Sequence, residues 1–178
     1  MFLSTRSASL SARALLAAAW GAFCAIILAA PILLHYSHRE SASVLYLSFS
    51  NICHQNPDRS FFLWGHSLPV CARCSGIYLG LFLGSLIENR FIHRSLQSRR
   101  VWILAACLPM LCDVVLSYSG LWLGTDLGRF FTGLWFGSLI STLLVRGVAE
   151  LLKDIPHPRL VPGYSLLKKG YAWIQKEC

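Results

Sequence analysis

The stretch Pro69-Val70-Cys71-Ala72-Arg73-Cys74-Ser75-Gly76-Ile77-Tyr78-Leu79-Gly80-Leu81-Phe82-Leu83-Gly84-Ser85-Leu86-Ile87 decides the fold. A proline opens it, and from Val70 onward every side chain is apolar or small except Arg73. Gly76, Gly80 and Gly84 recur every four residues, so they fall along one helical face and let a neighbouring helix approach closely. The segment 70–87 therefore reads as a membrane-spanning helix packed against protein along its glycine face. Cys71 and Cys74 stand at its first turn, where unpaired N–H groups and the positive end of the helix dipole favour the thiolate form.

Composition points the same way. The chain of 178 residues is 55% hydrophobic and 13% charged, whereas a soluble domain is about a quarter charged. Its mean hydropathy is positive, and too little polar surface exists to cover it in water. A net charge of +8 would suit nucleic acid if the basic residues shared one folded face. Here they fall in short segments between apolar runs, which excludes a nucleic-acid partner and reports membrane topology instead.

Outward from the central stretch, Ala14 to Leu34 is an unbroken apolar run. A hydrocarbon core about 30 Å thick demands about 20 such residues, because the backbone must bond within its own helix. A cleaved signal peptide competes for this run. Its apolar part would be shorter, roughly 7–15 residues, and Pro31 would follow the small pair Ala29-Ala30. From His35 to Leu68 the chain is mixed and is expected to lie outside the hydrocarbon. Val44, Leu45, Tyr46, Leu47 and Phe49 are placed on the membrane surface, Asn56-Pro57-Asp58 breaks any helix, and Phe61 to Trp64 returns to the interface.

On the other side, Val101 to Tyr118 makes a third span carrying Asp113, and Leu127 to Val145 a fourth carrying Arg129, Gly133 and Gly137. The repeated glycine spacing predicts direct contact between the second and fourth spans, and the same faces offer a route to a homo-oligomer. The expected fold is all-α: a four-helix bundle in one membrane domain, 1–155, with spans near 14–34, 70–87, 101–118 and 127–145. A basic tail, 156–178, is either an interfacial helix or disordered. Lys and Arg concentrate in the N-terminal segment, the 88–100 loop and the tail, which predicts cytoplasmic termini in the inner (cytoplasmic) membrane and a cysteine loop facing outward.

Cys53 and His54 lie upstream of the Cys71/Cys74 pair. Together they offer three sulfurs and an imidazole, a set that suits zinc or another thiophilic metal in a tetrahedral site, with His66 as substitute ligand. An outward, oxidising location also permits a disulfide among the three cysteines. Asp113 within a span needs a cation, and Arg73 and Arg129 enter their helices at a matching depth. They make a buried ion pair or an anion pocket beneath the cysteine loop.

The pattern Cys53-His54-Gln55-x-Pro57-x-Arg59-Ser60-Phe61, then Gly65, then Pro69 to Tyr78, resembles the signature of small prokaryotic membrane proteins catalogued as domain of unknown function 2085. Asp113, Arg129, Gly133 and Gly137 extend the resemblance, while Val114, Val115 and Leu116 replace the glycine and glutamine expected after the aspartate. The resemblance implies a membrane location and a shared cysteine site, with no activity attached. The general layout also looks like bacterial membrane enzymes that pass electrons from thiols to quinone, with Cys71-Cys74 as the reactive pair. Those enzymes carry a second cysteine pair between their third and fourth helices, and Ser117 to Asp126 holds none. A small transporter or a subunit of a membrane complex completes the range of readings.

Overall fold

The computed structural model describes residues 2–87, 99–120 and 124–154. The expectations for most of the 88–100 loop and for the tail at 156–178 lie outside these residues. In chain order the elements are α1 (Phe2–His35), α2 (Arg39–Ser50), a single 3-10 turn (Pro57–Arg59), β1 (Phe62–Leu63), β2 (His66–Ser67), α3 (Ala72–Leu86), α4 (Arg99–Tyr118) and α5 (Asp126–Asp154).

Two of these helices, α1 and α5, are long and apolar enough to cross a membrane. Helix α3, at 15 residues, reaches only about 22 Å at 1.5 Å per residue, and the apolar part of α4 is Ile103–Tyr118. Helix α1 begins well before Ala14, because nothing from Phe2 to Arg13 is a glycine or proline that would stop it. Helix α5 likewise runs past Val145 to Asp154, through a segment rich in good helix formers that ends just before Pro156.

The helices alternate in direction. A side chain at Gly21 of α1 would meet Phe82, and Trp20 stacks on Tyr78, while Ile27 joins the cluster around Val70, so α1 runs antiparallel to α3. Asp113 of α4 bonds Arg73, and Trp135 Nε1 donates to the Ala105 carbonyl at 3.1 Å, which sets α4 antiparallel to α5. Helices α3 and α5 are parallel and interlock backbone to backbone. A Cβ added at Gly76, Gly80 or Gly84 would fall 2.1, 2.4 or 2.7 Å from the carbonyl oxygens of Phe130, Leu134 and Ser138. In return, a Cβ at Gly133 or Gly137 would fall 2.3 or 2.2 Å from the carbonyls of Arg73 and Ile77. The row continues with Ser141, whose hydroxyl donates to the next carbonyl in that series, Leu81, at 2.9 Å. Only hydrogen at Cα permits this approach, which brings Cα–H groups against carbonyl oxygens and buries both glycine faces within one chain.

The connector between α1 and α3 is a folded cap. Helix α2 forms where the apolar residues of 44–49 were expected to rest on a membrane surface; Ala42 and Phe49 face inward, while Val44 and Leu47 are exposed. The turn at Pro57–Arg59 is closed by Asn56, whose side chain accepts from the Asp58 N–H at 3.0 Å. Strands β1 and β2 pair antiparallel through Trp64 and Gly65, both with positive φ, as a two-residue hairpin turn of this kind requires. Gly65 takes that conformation without cost. Trp64 does not, and its ring is stacked on His35 at 5.0 Å.

Candidate metal centre

The cap brings Cys53 to the start of α3. The Cys53 N–H is bonded to the Phe49 carbonyl at 2.9 Å as α2 unwinds, and Pro69-Val70 lead the chain directly into the next helix. Gln55, in the left-handed region at φ 50°, holds the intervening loop down by donating its side-chain amide to the Tyr46 carbonyl at 2.6 Å. The Tyr46 hydroxyl in turn donates to the Ser67 carbonyl of the hairpin. Helix α2, the cysteine loop and the hairpin are thereby tied to one another.

At the junction, the ligand atoms of Cys53, Cys71 and Cys74 all lie within 4.8 Å of one another. Cys71 is the N-cap residue of α3 and Cys74 lies in its first turn. Cys53 is 7% exposed, and its sulfur accepts the backbone N–H of Cys71 at 3.3 Å. A hydrogen bond from a backbone donor stabilises negative charge on that sulfur. All three are free thiols. Around them stand Ile27, Phe49, Leu68 and Val70, with Phe23, Phe61 and Tyr78 packed against that core. The sulfurs therefore sit in a mainly apolar wall that limits access of water.

Of the residues expected at the site, the three cysteines converge and the two histidines stand apart from the group. His54 is exposed and His66 half-buried. Adjacent residues in an extended loop point in different directions, which explains why Cys53 turns inward and His54 does not.

The charged residues gather at the same end of the helices. Arg73 pairs with Asp113, joining α3 to α4; their side chains are 22% and 10% exposed. Arg129, itself buried, contacts Asp126 one turn back on α5 at 3.3 Å. Gly124, at φ 53°, brings the chain entering α5 close to this pair: a Cβ there would meet Ser117 Oγ at 3.2 Å and the Arg129 Nε and Nη2 at 3.3 Å each. Ser117, Gly124 and Asp126 did not stand out in the sequence as a group. Their only signal is position, since Ser117 follows Asp113 by four residues and Asp126 precedes Arg129 by three, each about one helical turn.

The family model for predicted membrane proteins described as domain of unknown function 2085 matches residues 53–143, which contain the three cysteines and the four charged residues Arg73, Asp113, Asp126 and Arg129. An uncharacterised protein of Methanocaldococcus jannaschii is 41% identical over 93 residues, a match covering 50% of this chain and 58% of that protein. An uncharacterised protein of Methanothermobacter thermautotrophicus is 32% identical over 111 residues, covering 62% of this chain and 93% of that protein. No solved structure matches the chain significantly. The match of the family model across half of the sequence, with the three-cysteine cluster inside it, establishes that this chain belongs to the family of predicted membrane proteins with domain of unknown function 2085.

Proposed function

We propose that the chain is a multi-pass protein of the cytoplasmic membrane, both termini cytoplasmic, whose Cys53, Cys71 and Cys74 hold a thiophilic metal ion on the outer face. One observation carries the reading: three sulfurs from two separate chain segments lie within 4.8 Å of one another. In a tetrahedral zinc site with Zn–S bonds near 2.3 Å, sulfurs are spaced by about 3.8 Å, so only small side-chain shifts separate this group from a coordination shell. Soft thiolate donors favour zinc or monovalent copper over magnesium or calcium, and zinc is the ion we assign. A bound ion would supply Lewis acidity at its fourth position. The cysteines fix its place, the Cys71 N–H holds the Cys53 sulfur, and the apolar wall keeps bulk water away. The protein candidate for the fourth position is His54, beside Cys53; an exchangeable small ligand is the other.

Elemental analysis of gently purified protein, with thiol counting on the same sample, tests the reading. About one zinc per chain is expected, and Cys53→Ser, Cys71→Ser and Cys74→Ser should each lose most of it, since removing one ligand leaves an open, weakened site. His54→Ala should lose metal to the same degree if His54 is the fourth ligand, and little if that position is exchangeable. Metal-free protein under anaerobic purification, with Cys71 and Cys74 trapping a mixed disulfide when either is replaced, would overturn the metal reading in favour of thiol–quinone electron transfer.

A further inference from the structure

The connection between α1 and α2 is a helical hairpin, and it fixes how α2 lies. Ser37, at φ 65°, turns the chain, and the His38 N–H closes back on the Leu33 carbonyl at 2.9 Å. Only residues 36–38 separate the two helices, a connection short enough to return the second along the first. The rings agree. Phe49, near the end of α2, packs edge-to-face on Phe23 of α1 at 5.4 Å, and Ile27, Phe49 and Cys53 share one buried cluster. Phe23 precedes the end of α1 at His35 by about 18 Å at 1.5 Å per residue, which is also the length of the 12-residue α2. Helix α2 therefore stands antiparallel beside the last turns of α1 rather than across its end.

Helix α1 is long and apolar enough to cross a membrane, and its apolar run ends at Leu34. Ile27, which packs with Phe49 and Cys53, lies about 10 Å before Leu34 along the helix. The foot of α2 is set that far below the end of the run. Its composition suits such a place. Arg39 and Glu40 open the helix, and no Asp, Glu, Lys or Arg follows from Ser41 to Pro57. Val44 and Leu47 are 62% and 68% exposed, and at the same depth Ile26 and Leu28 of α1 are exposed as well. The hydroxyls of Ser43, Ser48 and Ser50 donate to the carbonyls of Arg39, Val44 and Leu47 at 2.7–2.8 Å, so these serines need no water. A helix also bonds its own backbone, the condition for lying in hydrocarbon. The next charges, exposed Asp58 and Arg59, come on the 3-10 turn and give the cap a polar edge.

We propose that α2 re-enters the outer leaflet beside α1, with its Val44–Leu47 face against lipid acyl chains, so that Cys53 joins the sulfur cluster below the headgroups. The first turn, Arg39 to Ser43, stays at headgroup level, and Leu47 lies a turn deeper. An upright helix replaces the surface-lying one expected from the sequence. The inference rests on α1 crossing the membrane, as in the multi-pass reading above, and stands whether or not the sulfurs hold a metal.

The test introduces a photoactivatable benzophenone amino acid singly at Glu40, Leu47 and Leu28 of the full chain, in vesicles of phosphatidylethanolamine and phosphatidylglycerol. All three positions are exposed, so the variants should fold. Illumination inserts the ketone into nearby C–H bonds, and adducts are counted by mass spectrometry. Glu40 and Leu47 share one face of α2 and differ in height by about 10 Å. Acyl-chain adducts should be severalfold more abundant at Leu47 than at Glu40, and similar at Leu47 and Leu28. Equal yields at Glu40 and Leu47 would mean that α2 lies flat on the surface, and overturn the proposal. Lipid adducts at Leu28 with none at Leu47, or a protein adduct at Leu47, overturn it while the span of α1 stands. No lipid adduct at Leu28 removes the span, and the re-entry with it.

Discussion

Arg73 joins the cysteine-bearing turn of α3 to α4. It lies between Cys71 and Cys74 in sequence, yet its side chain leaves the sulfurs and bonds Asp113 on α4. A carboxylate as buried as Asp113 is tolerated because a guanidinium neutralises it, and the pair gains strength as water is excluded. Removing one partner strands the other. Asp113→Asn should therefore lower stability by about 3 kcal/mol, the usual cost of breaking a buried pair, while Asp113→Asn combined with Arg73→Gln should recover part of that loss. A double-mutant cycle on thermal unfolding in detergent measures the coupling directly. Additive losses would show that the two groups do not depend on one another.

At the scale of elements, two contacts hold the site in position. The first is the backbone interlock of α3 with α5. At Gly80 even one methyl group would collide with the Leu134 carbonyl at 2.4 Å and the Ser138 nitrogen at 2.9 Å, and backbone atoms cannot step aside. Gly80→Ala should force the helices apart at a cost of about 1–3 kcal/mol. Gly147, farther along α5, meets nothing within 4 Å, and Gly147→Ala should be neutral or slightly stabilising. Comparing the two unfolding midpoints separates close packing from simple helix propensity. The second contact is the Tyr46 hydroxyl, which ties α2 to the hairpin. Burial raises the Tyr46 pKa above its ordinary value, so the folded state favours the protonated phenol. The contact should stabilise fully below about pH 10 and fade as pH rises through the raised folded pKa. Tyr46→Phe should cost about 1 kcal/mol at neutral pH and lack this alkaline loss, as unfolding midpoints across pH would show.

For the whole molecule, the capped end and the basic segment predict an orientation in the membrane. Helices of alternating direction put α2, the hairpin and the cysteines at one end together, and the basic residues of 88–100 follow the opposite end of α3. The excess of arginine there predicts that the cap faces away from the cytoplasm. An impermeant thiol reagent on intact spheroplasts should label a cysteine introduced at Ser43, which is exposed on α2, and spare one introduced at Gln97. The reverse pattern would invert the orientation and place the cysteines in a reducing compartment.

The sequence by itself determined the membrane class, the apolar runs and the chemistry of the conspicuous residues. Apolar length is a local property, and hydrogen-bonding demand in hydrocarbon converts it into helix without help from distant residues. The four-residue glycine period was legible for the same reason, since it follows from the geometry of one helix. Tertiary structure decided the rest. It extended the glycine row to Ser141, whose sequence neighbours give no hint that it faces a carbonyl of α3. It folded the polar connector into a helix and a hairpin, because Gln55, Tyr46 and Asn56 find backbone partners that only the assembled cap supplies. It brought three cysteines of two separate segments within 4.8 Å of one another and left the His54 side chain exposed, a distinction set by which way adjacent side chains turn in a loop. It also divided the cations, giving Asp113 to Arg73 and Asp126 to Arg129, because depth along a helix can be counted in sequence whereas the face presented to a neighbour is fixed only when the helices pack.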